Sequence, residues 1–139
     1  MISIMNINMK VSGVDFNLSF ADNLILFTGL SGEGKTFMFK CLKEYLNTTM
    51  GTDCVLFNSS AMQYPESAIK DICKGAKVVI FDNADLYLTQ NVLDYAVSNV
   101  DIVIVSMKLY FTLNFNGFSM YKVDYKDKSL CVRKANGVS

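Results

Sequence analysis

Residues 29–36 read Gly29-Leu30-Ser31-Gly32-Glu33-Gly34-Lys35-Thr36, and this stretch constrains the chain more than any other. The apolar run Leu24-Ile25-Leu26-Phe27 comes just before it and has the character of a buried strand. A helical pattern follows, from Gly34 to about Leu46. Three glycines let the backbone curl so that successive N–H groups turn inward, a geometry that suits phosphate oxygens. The N-terminus of the following helix adds partial positive charge at the same place. Lys35 is expected to reach the β- and γ-phosphates, and the Thr36 hydroxyl to ligate Mg²⁺. A glycine-rich turn that served only to join a strand to a helix would not require Lys and Thr directly after its last glycine.

The rest of the chain reads as strands alternating with helices. Met5, Ile7, Met9 and Val11 alternate with polar residues. Ser12-Gly13 signals a turn, and Val14, Phe16, Leu18 and Phe20 alternate again, which predicts an antiparallel hairpin before the loop strand. In the helix after the loop, Phe37, Met38, Cys41, Leu42, Tyr45 and Leu46 form the stripe expected to face a sheet. Cys54-Val55-Leu56-Phe57, Val78-Val79-Ile80-Phe81 and Ile102-Val103-Ile104-Val105 read as short buried strands. Between them, Pro65 opens a helix with Ala68, Ile69, Ile72 and Cys73 inward, and Val92, Leu93, Ala96 and Val97 mark another. Met120, Lys122 and Asp124, then Leu130 and Val132, flank a Lys126-Asp127-Lys128 turn and predict a C-terminal hairpin. This alternation predicts a mainly parallel sheet with helices on both faces, in a single domain spanning residues 1–139.

Composition narrows the function classes. Thirteen basic and 13 acidic residues give zero formal net charge, so there is no strong nucleic-acid signal. No histidine is present, which excludes histidine acid–base chemistry and histidine metal ligation. Cys41, Cys54, Cys73 and Cys131 form no C-x-x-C pair, and three of them fall at core-facing positions. With no apolar run of about 18 residues and no signal-peptide pattern, the expectation is a cytoplasmic protein without a membrane segment.

A second motif follows further along. Val78-Val79-Ile80-Phe81 ends in Asp82, an acid at the carboxyl end of a strand, where open α/β sheets place ligand-binding groups. Asp82 is expected to hold Mg²⁺ opposite Thr36, directly or through water.

The two motifs resemble the Walker A and Walker B sequences of P-loop NTPases. Strand 102–105 follows the second motif and ends in the polar Ser106, which resembles the additional-strand (ASCE) division, home of AAA+ and ABC-type ATPases. The resemblance covers roughly residues 14–106 and implies a three-layer P-loop NTPase-like α/β domain with a mainly parallel central sheet, an N-terminal β-hairpin and a C-terminal β-hairpin. It also implies ATP and Mg²⁺ as cofactors. Gly29, Ser31, Gly32, Glu33, Gly34, Lys35, Thr36 and Phe37 would form the nucleotide site, with Glu33 turned to solvent. Thr36 and Asp82 would hold the metal, and Asp82, Asp85 and Ser106 would serve catalysis.

The chain departs from that pattern in several places. Asn83 stands where these ATPases usually carry the Glu that polarises water, and an amide is a poor base. Asp85 is the nearest carboxylate that could take that role. Arg133 is the only arginine, so an arginine finger from this chain would act in a neighbouring subunit. Lys108 could serve as a cation near the γ-phosphate. The aromatic stretch 109–118 carries no charge and, where exposed, would suit a protein partner. The expected activity is slow or partner-dependent ATP hydrolysis, with a protein partner or self-association completing the site. The alternative is a non-hydrolysing nucleotide-binding switch. The Gly29–Gly32 segment is also similar to the loop of adenylylsulfate kinases, but the near-absence of arginine argues against a phosphorylated acceptor. No N-K-x-D sequence supports guanine specificity.

Overall fold

The computed structural model describes residues 5–28 and 34–135. Strands β1 (Met5–Val11) and β2 (Val14–Phe20) form an antiparallel hairpin in which Met5 faces Phe20 and Val11 faces Val14. Ser12 and Gly13 both have positive φ, as a two-residue hairpin turn matching the twist of its strands requires. β3 is Leu24–Phe27, and α1 (Lys35–Thr48) begins beyond the loop. β4 (Cys54–Phe57), α2 (Glu66–Cys73), β5 (Val78–Phe81), α3 (Gln90–Asn99) and β6 (Ile102–Ser106) follow. β7 (Ser119–Lys126) and β8 (Ser129–Lys134) close the chain as a second antiparallel hairpin, again with positive φ at both turn residues, Asp127 and Lys128.

The sheet corrects the expected architecture. A three-layer P-loop domain with a mainly parallel sheet and appended hairpins is not what forms. The described residues instead build one curled, mixed, eight-stranded sheet in the order β1-β2-β8-β7-β3-β6-β5-β4, with only three α-helices. Both hairpins are integral to it. β2 pairs with β8 in parallel through residues 15–17 and 129–131, and the N–H of Asp15 donates to the carbonyl of Lys128 at 2.8 Å. The physical reason is the unpaired edge of each hairpin. Joining the two edges satisfies backbone groups that water would otherwise have to serve.

Burial along the strands follows the same division. β1 and β2 alternate between buried and exposed, as strands covered on one face do. β5 is buried at every position and β6 at all but its first, so both of their faces are covered. On one face Met38, Phe39, Leu42 and Leu46 of α1 pack with Ile25, Phe27, Ile80 and Ile104. Ile7, Phe16, Leu18 and Phe20 of the first hairpin belong to the same cluster, so that end of the sheet curls over α1. On the other face, Ile69 and Cys73 of α2 and Val92, Leu93 and Ala96 of α3 pack on Leu26, Val79, Phe81, Val103 and Val105.

Two positions expected to face inward do not. Phe37 is 40% exposed and Ile72 is exposed, while the buried ring in α1 belongs to Phe39. Helices this short bury a narrow stripe, and residues one position off it reach solvent. Cys54 and Cys73 are buried, and burial pushes their thiols up to about 12 and about 11, so both behave as small hydrophobic side chains. All four cysteines are free. No described helix is long and apolar enough to cross a membrane.

Candidate nucleotide site

β3, β6 and β5 are parallel neighbours, so their carboxyl ends lie at one edge of the sheet. The register sets Phe27 beside Ser106 and Phe81 beside Val105, which brings Asp82 level with Ser106. α1 starts at the same edge. A cleft of about 210 Å³ opens there, lined by Gly34, Lys35, Thr36, Phe37, Asp82, Asn83, Asp85, Ser106, Met107 and Lys108. Every expected site residue within the described segments therefore lines one cleft. Gly29, Ser31, Gly32 and Glu33 lie outside the described residues.

Gly34 is the N-cap of α1, with φ 83° and ψ 5°. A side chain there would strain this left-handed backbone, so glycine suits the position. The helix has no acidic residue in its first turn, which leaves the positive end of its dipole without a local counter-charge from that turn. Lys35, the first helical residue, is only 7% exposed.

The hydroxyl of Thr36 donates a hydrogen bond to Asp82 Oδ2 at 2.8 Å. Asp82 Oδ1 accepts the backbone N–H of Asn83 at 3.0 Å. The N–H of Asp82 donates to the carbonyl of Phe57 at 2.9 Å. With the residue only 2% exposed, the donors on its two carboxylate oxygens, the Thr36 hydroxyl and the Asn83 N–H, help to make a buried carboxylate tolerable. Asn83 adopts φ 52° and ψ 46°, a left-handed conformation that asparagine accepts more readily than most residues. The asparagine thus has a backbone reason to stand at this position.

These groups fit Mg²⁺ without strain. That ion takes oxygen ligands octahedrally at about 2.0–2.1 Å, so adjacent ligands lie about 2.9 Å apart. Thr36 Oγ1 and Asp82 Oδ2, at 2.8 Å, already have nearly that spacing. The few protein ligands also suit an ion that keeps water and phosphate oxygens as partners.

Asp85 lines the cleft, but its oxygens are engaged. Oδ1 accepts the N–H of Lys108 and Oδ2 that of Leu109, each at 2.8 Å. Ser106 is buried at the end of β6. Arg133 pairs with Asp124 at 2.7 Å, across the two strands of the C-terminal hairpin. The sequence reading missed Tyr87, whose part-buried hydroxyl donates to the carbonyl of Asp82 at 2.6 Å and lies 3.1 Å from that of Phe57. Burial, reinforced by the Asp82 charge, pushes this phenol above its ordinary value, so it remains a neutral donor. No local signal marks a tyrosine six residues past a strand for such a role.

No protein-family model, curated protein or solved structure matches this chain.

Proposed function

We propose that the chain binds ATP with Mg²⁺ through residues 29–37 and Asp82, in the manner of the P-loop NTPases its motifs resemble, and hydrolyses it slowly. One observation carries this reading: the 2.8 Å hydrogen bond from Thr36, next to the buried Lys35, to the strand-end carboxylate of Asp82. Two segments far apart in sequence supply adjacent oxygen ligands beside a lysine and a helix N-terminus, the combination a magnesium–phosphate group needs. β6, hydrogen-bonded between β3 and β5, supports the likeness to the additional-strand division. In this reading Lys35 neutralises phosphate charge, Thr36 and Asp82 hold the metal, and Ser106 helps to place water. Bound Mg²⁺ would neutralise phosphate oxygens and orient them. A cytoplasmic location suits such a protein, since its four cysteines are all free.

Slow turnover follows from the carboxylates. Of the two acids among the cleft's described lining residues, Asp82 is held by Thr36 and Asn83, and Asp85 by two backbone amides. Neither is poised to take a proton from water, and the same feature favours the second reading, a nucleotide-gated binding protein that does not hydrolyse. A phosphate-release assay on purified protein separates the two. The expected rate is below about 0.1 s⁻¹, against the 1–10³ s⁻¹ common among enzymes. Bound ATP recovered intact after many hours would select the non-hydrolysing reading. Release at ordinary enzyme rates would contradict the account of both carboxylates.

A further inference from the structure

The segment after β6 is held more firmly than a solvent-facing connection requires. Three consecutive backbone N–H groups are fixed: Met107 to the carbonyl of Phe27 at 3.1 Å, Lys108 to Asp85 Oδ1 at 2.8 Å and Leu109 to Asp85 Oδ2 at 2.8 Å. The first acceptor ends the strand leading into the loop, and the other two sit three residues past Asp82. The immobilised residue at the centre is Lys108, which lines the cleft together with Lys35. Those two lysines are the cations among its described lining residues. The chain's single arginine is engaged with Asp124.

We propose that Lys108 is the residue that distinguishes a nucleoside triphosphate from a diphosphate at this site, and that Asp85 is the positioning residue that holds it for that contact. The proposal rests on the nucleotide-binding reading above and deepens it. The terminal phosphate brings extra negative charge, and a second lysine at the cleft, besides Lys35, can match it. A lysine stem is flexible and loses entropy when its end is fixed, so anchoring its backbone beforehand reduces what binding must still order. The two charge-assisted bonds from Asp85 supply that anchor. In this account Asp85 serves the chemistry through Lys108 and takes no proton.

The test is calorimetric titration of the purified full chain with ATP and with ADP, both with Mg²⁺, for the native protein, Lys108→Ala, Lys108→Arg, Asp85→Asn and the double variant Lys108→Ala/Asp85→Asn. Lys108→Ala should lose about tenfold in ATP affinity while ADP affinity stays within about twofold. Lys108→Arg should keep most of the preference for ATP. Asp85→Asn should lower the ATP/ADP ratio in the same direction, and the double variant should be no worse than Lys108→Ala alone. An unchanged ratio in Lys108→Ala would overturn the proposal while leaving nucleotide binding intact. Equal weakening of ATP and ADP in Asp85→Asn would make Asp85 a purely structural anchor and overturn its positioning role. If the native protein bound neither nucleotide, the underlying reading would fall too, an outcome distinct from failure at Lys108. Since Lys108 is exposed, its truncation tests the idea without threatening the fold.

Discussion

Replacing Asp82 by alanine is expected to remove the Mg²⁺ dependence of ATP binding. Native protein should bind ATP at least about 100-fold more tightly with Mg²⁺ than with EDTA, a gap larger than losing an outer-sphere partner commonly produces. In Asp82→Ala the two affinities should nearly coincide. The argument rests on Thr36 Oγ1 and Asp82 Oδ2, two oxygens 2.8 Å apart on α1 and just past β5. Truncation also leaves the Thr36 hydroxyl and the Asn83 amide without their acceptor, at a cost of about 1–3 kcal/mol in stability. Asp82→Asn separates the two effects, because it keeps the shape and an acceptor oxygen but gives up the charge. It should fold nearly as well as the native chain and still lose most of the Mg²⁺ response. A full Mg²⁺ response in a folded Asp82→Asn protein would remove Asp82 from the metal site.

Phe27→Ala is expected to cost about 3–5 kcal/mol of folding stability. Phe27 is fully buried at the end of β3. Its ring lies 5.5 Å from that of Phe39 in α1 and 6.2 Å from those of Phe20 in β2 and Tyr121 in β7. One side chain therefore ties the helix that opens the site to both halves of the mixed sheet. Its loss leaves a cavity among rings whose backbones are fixed by strand pairing, so collapse around it is limited. Denaturant unfolding monitored by circular dichroism should show a lower midpoint at unchanged slope. A loss under about 1 kcal/mol would mean that these four elements do not share one core.

The parts of this molecule visible in its sequence are those specified locally. β3, β5 and β6 announce themselves as continuous apolar runs because both their faces are covered, and both hairpins announce themselves by alternation around a polar turn. The convergence of Lys35, Thr36, Asp82 and Ser106 on one cleft follows from parallel strands ending at a common edge, which motif spacing anticipates. Strand partnership across long separations was not legible. Nothing in Asp15-Phe16-Asn17 or Ser129-Leu130-Cys131 says that these segments will pair, since alternation names the buried face and not the neighbour. Together with the parallel pairing of β7 on β3, it turns two expected appendages into half of a curled mixed sheet. Finer errors have a similar origin. Phe37 and Phe39 lie on either side of Met38; Phe39 is covered against Phe27 of β3, while Phe37 meets Phe16 at the rim of the first hairpin and stays 40% exposed. Asp85 looked like a spare acid because backbone amides 23 and 24 positions away leave no mark in a sequence.

The proposed magnesium–nucleotide site at residues 34–36 and Asp82 stands or falls on isothermal calorimetry of ATP with Mg²⁺. The prediction is saturable binding to native protein that weakens about 100-fold, ~3 kcal/mol, in Lys35→Ala, as expected for deleting a buried cation from a phosphate contact. Absence of binding to the native chain, or equal affinity in a folded Lys35→Ala protein, would contradict it.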